Sequence, residues 1–303
     1  MRKSLTIFTP TYNRAYILPQ LYASLSRQTN NDFEWLIVDD GSSDNTEEIV
    51  NKWICEKRIQ IRFIKQENGG KMKAHNTGVQ NTDTELFFCV DSDDYIVDTA
   101  VDTILHKWNN LTTDEKKFLA GMVGYKGSSV DTPIGNEFPL NVERDSLGGF
   151  YQKGLTGDTS LIFKTEIIKN FPFPIIAGEK FITEAYVYDQ IDRNYQLCAI
   201  PTVLTICEYR KDGLTLNLLK VTFHNPCGYV AYNLQCGNFA KTIKERFGFY
   251  VRASAFSKFT RKVKMPISPA HKILYTLSRP FGLMFFVYKR KLYIRSQREN
   301  ENE

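Results

Sequence analysis

Hydrophobic and polar positions along the first hundred residues alternate between two periods. Short apolar runs at 4–9, 34–38, 59–65 and 85–90 have the length and β-branched or aromatic content of buried strands. Between them, Ile17, Leu18, Leu21 and Leu25 mark a helical stripe over 17–28. Residues 45–57 read as a second helix with Asp44 or Thr46 near its cap, and 73–79 as the start of a third. Pro10 is expected to close the first strand. Strand–helix alternation with short linkers predicts βαβ units and a mostly parallel central sheet flanked by helices, an α/β fold. Ligands of such sheets gather beyond the carboxyl ends of the strands. The polar clusters fall there, at 9–14, 39–43, 68–73 and 91–94. After Asp98 the pattern is mixed, with strands near 120–125 and 160–164 and a helix over 181–194.

The run 86–94 is the most informative. An apolar strand ends in Asp91, Asp93 and Asp94, three carboxylates that repel one another and are costly to desolvate. A divalent cation resolves that repulsion, and hard oxygen ligands suit Mg²⁺ or Mn²⁺. The plain alternative is a solvated turn in which Asp94 or Asp98 caps the next helix. At the second strand end, Asp39, Asp40 and the loop Gly41-Ser42-Ser43-Asp44 precede a helix and can present amides and carboxylates to a nucleoside. The first strand is followed by Thr11-Tyr12-Asn13-Arg14 rather than a G-x-G-x-x-G, which disfavours dinucleotide binding. Gly69-Gly70-Lys71 is too short for a P-loop, yet its lysine can still reach a phosphate.

Taken together, Pro10-Thr-Tyr-Asn-Arg14, Val38-Asp-Asp-Gly-Ser-Ser-Asp-Asn-Thr46, Glu67-Asn-Gly-Gly70 with Ala74-His-Asn-Thr-Gly78, and Asp91-Ser-Asp-Asp94 resemble the family-2 inverting glycosyltransferases of GT-A fold, of the bacterial polysaccharide-biosynthesis type. The resemblance covers about residues 1–100. It implies a nucleotide-diphosphate sugar donor, a UDP-sugar first, with Mn²⁺ or Mg²⁺ and a single displacement with inversion. Carried over by position, Thr9, Pro10 and Tyr12 would line the nucleobase pocket with Arg14 beside them. Asp39 would hydrogen-bond the base, and Asp40 and Ser42 would organise that loop. Gly70, Lys71, His75 and Asn76 would lie along the diphosphate, Asp91 and Ser92 at the ribose or metal shell, and Asp93 with Asp91 on the metal. Many members have arginine at the position of His75, so Lys71 or Lys73 is expected to supply that charge.

Inversion needs a general base for the acceptor hydroxyl. The family places one after the metal motif, and Glu184 takes that role here, with Glu179 and Asp189 behind it; Ala185 stands where an Asp is usual. Asp158 and Asp94 join Glu179 as sugar or acceptor contacts, and Arg210 or Lys211 as phosphate ligands. An inactive nucleotide-sugar-binding scaffold and a sugar nucleotidyltransferase are the rival readings. The second would need a glycine-rich loop after the first strand, which is absent.

Charge adds a second feature. The net charge is +5, yet residues 240–298 hold fifteen Lys and Arg against one acidic residue, Glu245, leaving residues 1–239 at −6. The expected division is a catalytic domain over 1–239, with a nucleotide half 1–100 and an acceptor half 101–239, and a basic, aromatic helical extension over 240–303. Apolar clusters interleaved with Lys and Arg suit an interfacial helix on the anionic lipid of the inner leaflet, and a polyprenyl-diphosphate-linked glycan acceptor would give it a purpose. The alternative is a packing arm with solvated lysines. No motif supports nucleic-acid binding. Six scattered cysteines, no signal-peptide pattern and no apolar run of membrane-spanning length lead to an expectation of a cytoplasmic, peripherally membrane-associated protein.

Overall fold

The computed structural model describes residues 3–208, 218–257, 267 and 269–300. The phosphate-binding suggestion for Arg210 or Lys211 and the basic run 258–264 lie outside them. The chain forms two compact units, Met1–Phe173 with Val187–Glu208, and Pro174–Tyr186 with Tyr209–Glu303.

The first unit opens as β1 (Leu5–Thr11), α1 (Leu18–Ser26), β2 (Phe33–Asp39), α2 (Thr46–Glu56), β3 (Ile61–Lys65), α3 (Lys71–Gln80) and β4 (Leu86–Cys89). It continues through β5 (Tyr95–Ile96), α4 (Ala100–Asn109), α5 (Thr113–Lys117), β6 (Leu119–Ser129), β7 (Thr132–Pro133), β8 (Arg144–Asp145), α6 (Leu147–Gln152), β9 (Thr159–Lys164) and α7 (Thr165–Ile168). It ends with α8 (Ala185–Ile191), whose first two residues belong to the second unit, and β10 (Gln196–Ile206). The strands form one sheet in the order β3-β2-β1-β4-β9-β6-β10-β5, with β7 on β6 and β8 on β10. Pairing is parallel from β3 to β4 and between β6 and β10, while β9 runs antiparallel between β4 and β6.

β1 is buried along its whole length, as a central parallel strand must be. It passes through Pro10 rather than stopping there, with Pro10 opposite Val38 and Thr11 opposite Asp39. Phe8, two residues earlier and so facing the same side, accepts from Val90 of the β4 segment. β4 ends at Cys89, so the missing N–H of Pro10 falls where no ladder partner is due. Tyr22, Trp35 and Trp53 stack beneath β2, with Tyr22 and Trp53 centroids 4.4 Å apart, and clamp α1 and α2 to the sheet.

The second unit contains α9 (Leu218–His224), α10 (Pro226–Phe239), α11 (Ile243–Ala255) and α12 (Lys272–Asn300). Val230, Leu234, Tyr250, Ala253 and Phe256 form its core, with Phe223, Tyr275 and Phe286 packed against them. The helix expected over 181–194 is confined to α8. The backbone just upstream is held elsewhere: Asn225 Oδ1 accepts from the amides of Lys180 and Phe181, at 2.8 and 3.0 Å.

Candidate active site

The carboxyl ends of β1, β2 and β4 and the start of α3 lie in one unit and carry the polar clusters. Asp39 ends β2 fully buried. Its Oδ1 accepts from the Ser42 amide at 2.9 Å and from the Ser42 hydroxyl at 2.5 Å, and Ser42 Oγ in turn accepts from the Asn13 amide at 2.8 Å. Its Oδ2 is buried with no hydrogen-bond partner among the described residues. A buried carboxylate oxygen left unmatched is costly, and it is ready to accept an N–H from a ligand. Asp40 is different. Its carboxylate accepts from Gln66 Nε2 at 2.7 Å, from the Gly69 amide at 3.0 Å and from the Gly70 amide at 2.7 Å, tying the β2 loop to the start of α3. That closure needs glycine at position 41: its φ is +81°, and a Cβ there would sit 3.1 Å from the Asn68 nitrogen.

Lys71 is the first residue of α3, where a cation opposes the helix dipole. Its ammonium lies 2.7 Å from Asp91 Oδ1. Burial alone would raise Asp91, but Lys71 and then Lys126 override it and hold its pKa at about 2. Lys73, the other cation nominated for the diphosphate, instead donates to the Glu67 carbonyl at 3.0 Å. Asp93 is half-buried and makes no hydrogen bond or ion pair among the described residues. Asp94 is buried, and its Oδ2 lies 2.7 Å from Lys126 Nζ of β6. Burial, then the Asp91 and Asp93 charges, push Asp94 up to about 6 against the pull of Lys126. Burial works against the Lys126 ammonium, yet Asp94 and Asp91 raise its pKa overall. Neither Asp94 nor Asp98 caps α4: Asp94 pairs with Lys126, and Asp98 pairs with Arg27 at 3.1 Å.

Several expected contacts are engaged elsewhere. Thr9 is fully buried and its hydroxyl accepts from Trp35 Nε1 at 3.0 Å, so it braces the sheet rather than lining a pocket. Asn76 exchanges two hydrogen bonds with the backbone of Phe173, at 2.8 and 2.9 Å. His75 is buried edge-on to Phe8, Phe87 and Phe173. Burial and the Lys71 charge lower its pKa to about 3, so the ring is neutral at pH 7. Glu179, expected near the acceptor, accepts from the amides of Cys227 and Gly228, both at 2.8 Å, and closes the first turn of α10. Pro10 and Ser92 are buried, Arg14 is half-buried and donates to the Tyr16 hydroxyl at 2.5 Å, and Tyr12 and Asp158 are exposed. Glu184 lies in the second unit and Asp189 in the first, both half-buried. Lys126 is the site residue that pattern reading misses; its signal is one lysine closing the apolar run of β6.

Among the described residues no three His, Cys, Asp or Glu side chains are grouped to hold a metal ion. The donor set is two carboxylates, Asp91 and Asp93, with a lysine already against one of them. It fits a hard cation shared with phosphate oxygens, the mode in which Mg²⁺ is held by one or two carboxylates plus a substrate.

A buried acceptor at the β2 end and acidic residues at the β4 end, all on a mostly parallel sheet, define an α/β protein whose polar groups gather at its strand ends. Residues 6–124 match the family model Glycosyl transferase family 2. The glycosyltransferase GlyA of Streptococcus pneumoniae is 27% identical over 195 residues, 62% of this chain and 25% of GlyA, so the chain spans a quarter of that relative's length. The GalNAc(5)-diNAcBac-PP-undecaprenol beta-1,3-glucosyltransferase of Campylobacter jejuni is 22% identical, covering 86% of this chain and 84% of its own. The crystal structure of Staphylococcus aureus TarS 1–349 in complex with UDP-GlcNAc superposes with a TM-score of 0.58 at 18% identity, covering 91% of this chain and 79% of that one. The fold is GT-A.

Proposed function

We propose that the chain transfers a sugar from a UDP-sugar to a hydroxyl of a growing, lipid-linked surface glycan, by single displacement with inversion at the anomeric carbon. The observation that carries this reading is the unpartnered, fully buried Asp39 Oδ2 at the β2 end. An acceptor there suits the N3–H of uracil, whereas cytosine presents an acceptor at the same position and leaves both groups unmatched. The name of the C. jejuni relative includes a PP-undecaprenol acceptor, which supports lipid linkage, and the TarS complex holds a UDP-sugar.

In this scheme Tyr12 and Pro10 flank the base, and Ser42 holds Asp39 in place through Oδ1. Asp40 fixes the start of α3 and so sets where Lys71 stands. Lys71 would turn from Asp91 to the diphosphate as donor binds. Asp91 and Asp93 would hold Mn²⁺ or Mg²⁺, which when bound offsets diphosphate charge and stabilises the departing nucleotide as a Lewis acid. Asp94, anchored by Lys126, and Asp158 would face the transferred sugar. Glu184 would take the acceptor proton as the acceptor oxygen bonds to the anomeric carbon and the bond to the nucleotide breaks. The cytoplasmic face of an anionic membrane is where such an acceptor would be met.

Two variants test the scheme. Asp39→Asn should weaken UDP affinity by about tenfold to a hundredfold in titration calorimetry, the worth of a hydrogen bond to a charged group; unchanged affinity would remove the base contact. Glu184→Ala should bind UDP normally and lose transfer. Retained transfer would move the base to Asp189.

A further inference from the structure

α12 is amphipathic twice over. One face packs on α11 and α9, where Phe223 lies 4.6 Å from Tyr293 and Phe256 lies 5.3 Å from Phe286, centroid to centroid. The roll of the helix about its axis is fixed by close approach. Gly282 and Ser278 are buried, Ser254 Oγ donates to the Ser278 carbonyl at 3.3 Å, and a Cβ on Gly282 would meet Ser254 Oγ at 2.1 Å. The opposite face should therefore be polar. Instead it carries Ile273, Leu277, Met284, Val287 and Tyr288 with Phe281 at its edge, each 46–76% exposed, the Phe281 ring also lying 5.4 Å from that of Phe247 on α11. Five of these follow the i, i+4, i+8, i+11, i+15 spacing of a single helical stripe. A contiguous apolar stripe of this kind on a soluble surface marks an interaction site.

Charge decides the occupant. Lys272, Arg279, Arg290, Lys291, Arg295 and Arg298 are all exposed on the same helix, and no acidic side chain occurs between 272 and 298. A second copy meeting this face would set one basic stripe against another. A nucleic acid would use the charge but leave the apolar stripe uncovered. No described helix is long and apolar enough to cross a membrane. We infer that the outer face of α12 lies in the headgroup region of an anionic bilayer, its apolar residues at the acyl boundary and its Lys and Arg on lipid phosphates. The inference concerns the second unit and stands whether or not the glycosyl-transfer reading does.

The test is flotation of the full chain with vesicles of phosphatidylcholine alone and of phosphatidylcholine mixed with phosphatidylglycerol. The wild type should float with the mixed vesicles, bind the neutral ones far less, and release as salt is raised. Leu277→Glu combined with Met284→Glu changes only exposed positions, and an unchanged melting temperature and circular dichroism spectrum would show that the fold is kept. Its binding should fall by about tenfold or more, given the apolar area removed and the charge reversed. A second variant, Arg279→Gln with Arg290→Gln and Lys291→Gln, should lose the preference for phosphatidylglycerol and much of the salt dependence. The inference is overturned if the wild type fails to float with anionic vesicles, or if the apolar variant floats as well as the wild type. It is equally overturned if size-exclusion chromatography shows a dimer that the apolar variant disperses while vesicle binding is absent.

Discussion

His75, expected from its segment to meet a nucleotide, serves the core. Its ring lies against three phenylalanines, and burial lowers its pKa to about 3 from an ordinary value near 6.5. The folded state therefore keeps a neutral imidazole while the unfolded chain takes up a proton below pH 6.5. This contribution to stability is complete above that value and is lost as the pH falls toward 3. By pH 5 it should cost about 2 kcal/mol. Asp94 works in the opposite sense: its raised pKa favours the folded state below pH 4, a contribution lost as the pH rises through about 6. His75→Phe leaves that part untouched, so the variant should lose less stability than the wild type between pH 7 and pH 5 in urea titrations. Parallel pH profiles would contradict the buried, neutral ring. The sequence placed His75 correctly on α3, but not its surroundings, because Phe173 arrives from far along the chain. Thr9 and Asn76 depart from expectation for the same reason: their partners, Trp35 and Phe173, are set by tertiary packing.

At the scale of elements, strand ends carry the chemistry and sheet order decides which ends meet. The first four strands and three helices were readable within a few residues, because local periodicity and short connections determine them. Lys126 was not, because a lysine after an apolar run reads as a strand end reaching solvent. Its partial burial and its partner follow from the order β6-β10-β5: Lys126 and Ile96 both pair with Thr205 of β10, a non-local arrangement that brings Lys126 to Asp94. Removing one member of such a pair strands the other charge. Lys126→Met should destabilise the protein by about 3 kcal/mol at pH 7, and by less near pH 5, where Asp94 can take a proton instead. Lys126→Arg should recover most of the loss. An equal loss relative to the wild type at both pH values would show that the pair does not hold the acidic loop. Glu179 teaches the converse lesson. A carboxylate near the expected catalytic segment proved to close the first turn of α10, a role visible only once α10 is in place.

The molecule as a whole contains two compact units of contrasting charge and chemistry. The first holds every residue proposed for the donor nucleotide and the metal, and the second holds the basic helix α12. The charge asymmetry was legible in composition alone, while the outward turn of the apolar stripe on α12 was not, since it depends on which face packs on α11. The central claim is that a uridine diphosphate and a divalent cation share the strand-end site. Melting temperatures of the purified chain with UDP, GDP, CMP or dTDP, each with Mn²⁺ or with EDTA, test it most directly, because a ligand that binds only the folded state raises the midpoint by mass action. The midpoint should rise with UDP and Mn²⁺, a rise that EDTA abolishes and that CMP does not reproduce. No shift with any nucleotide, or equal shifts with UDP and CMP regardless of metal, would contradict it.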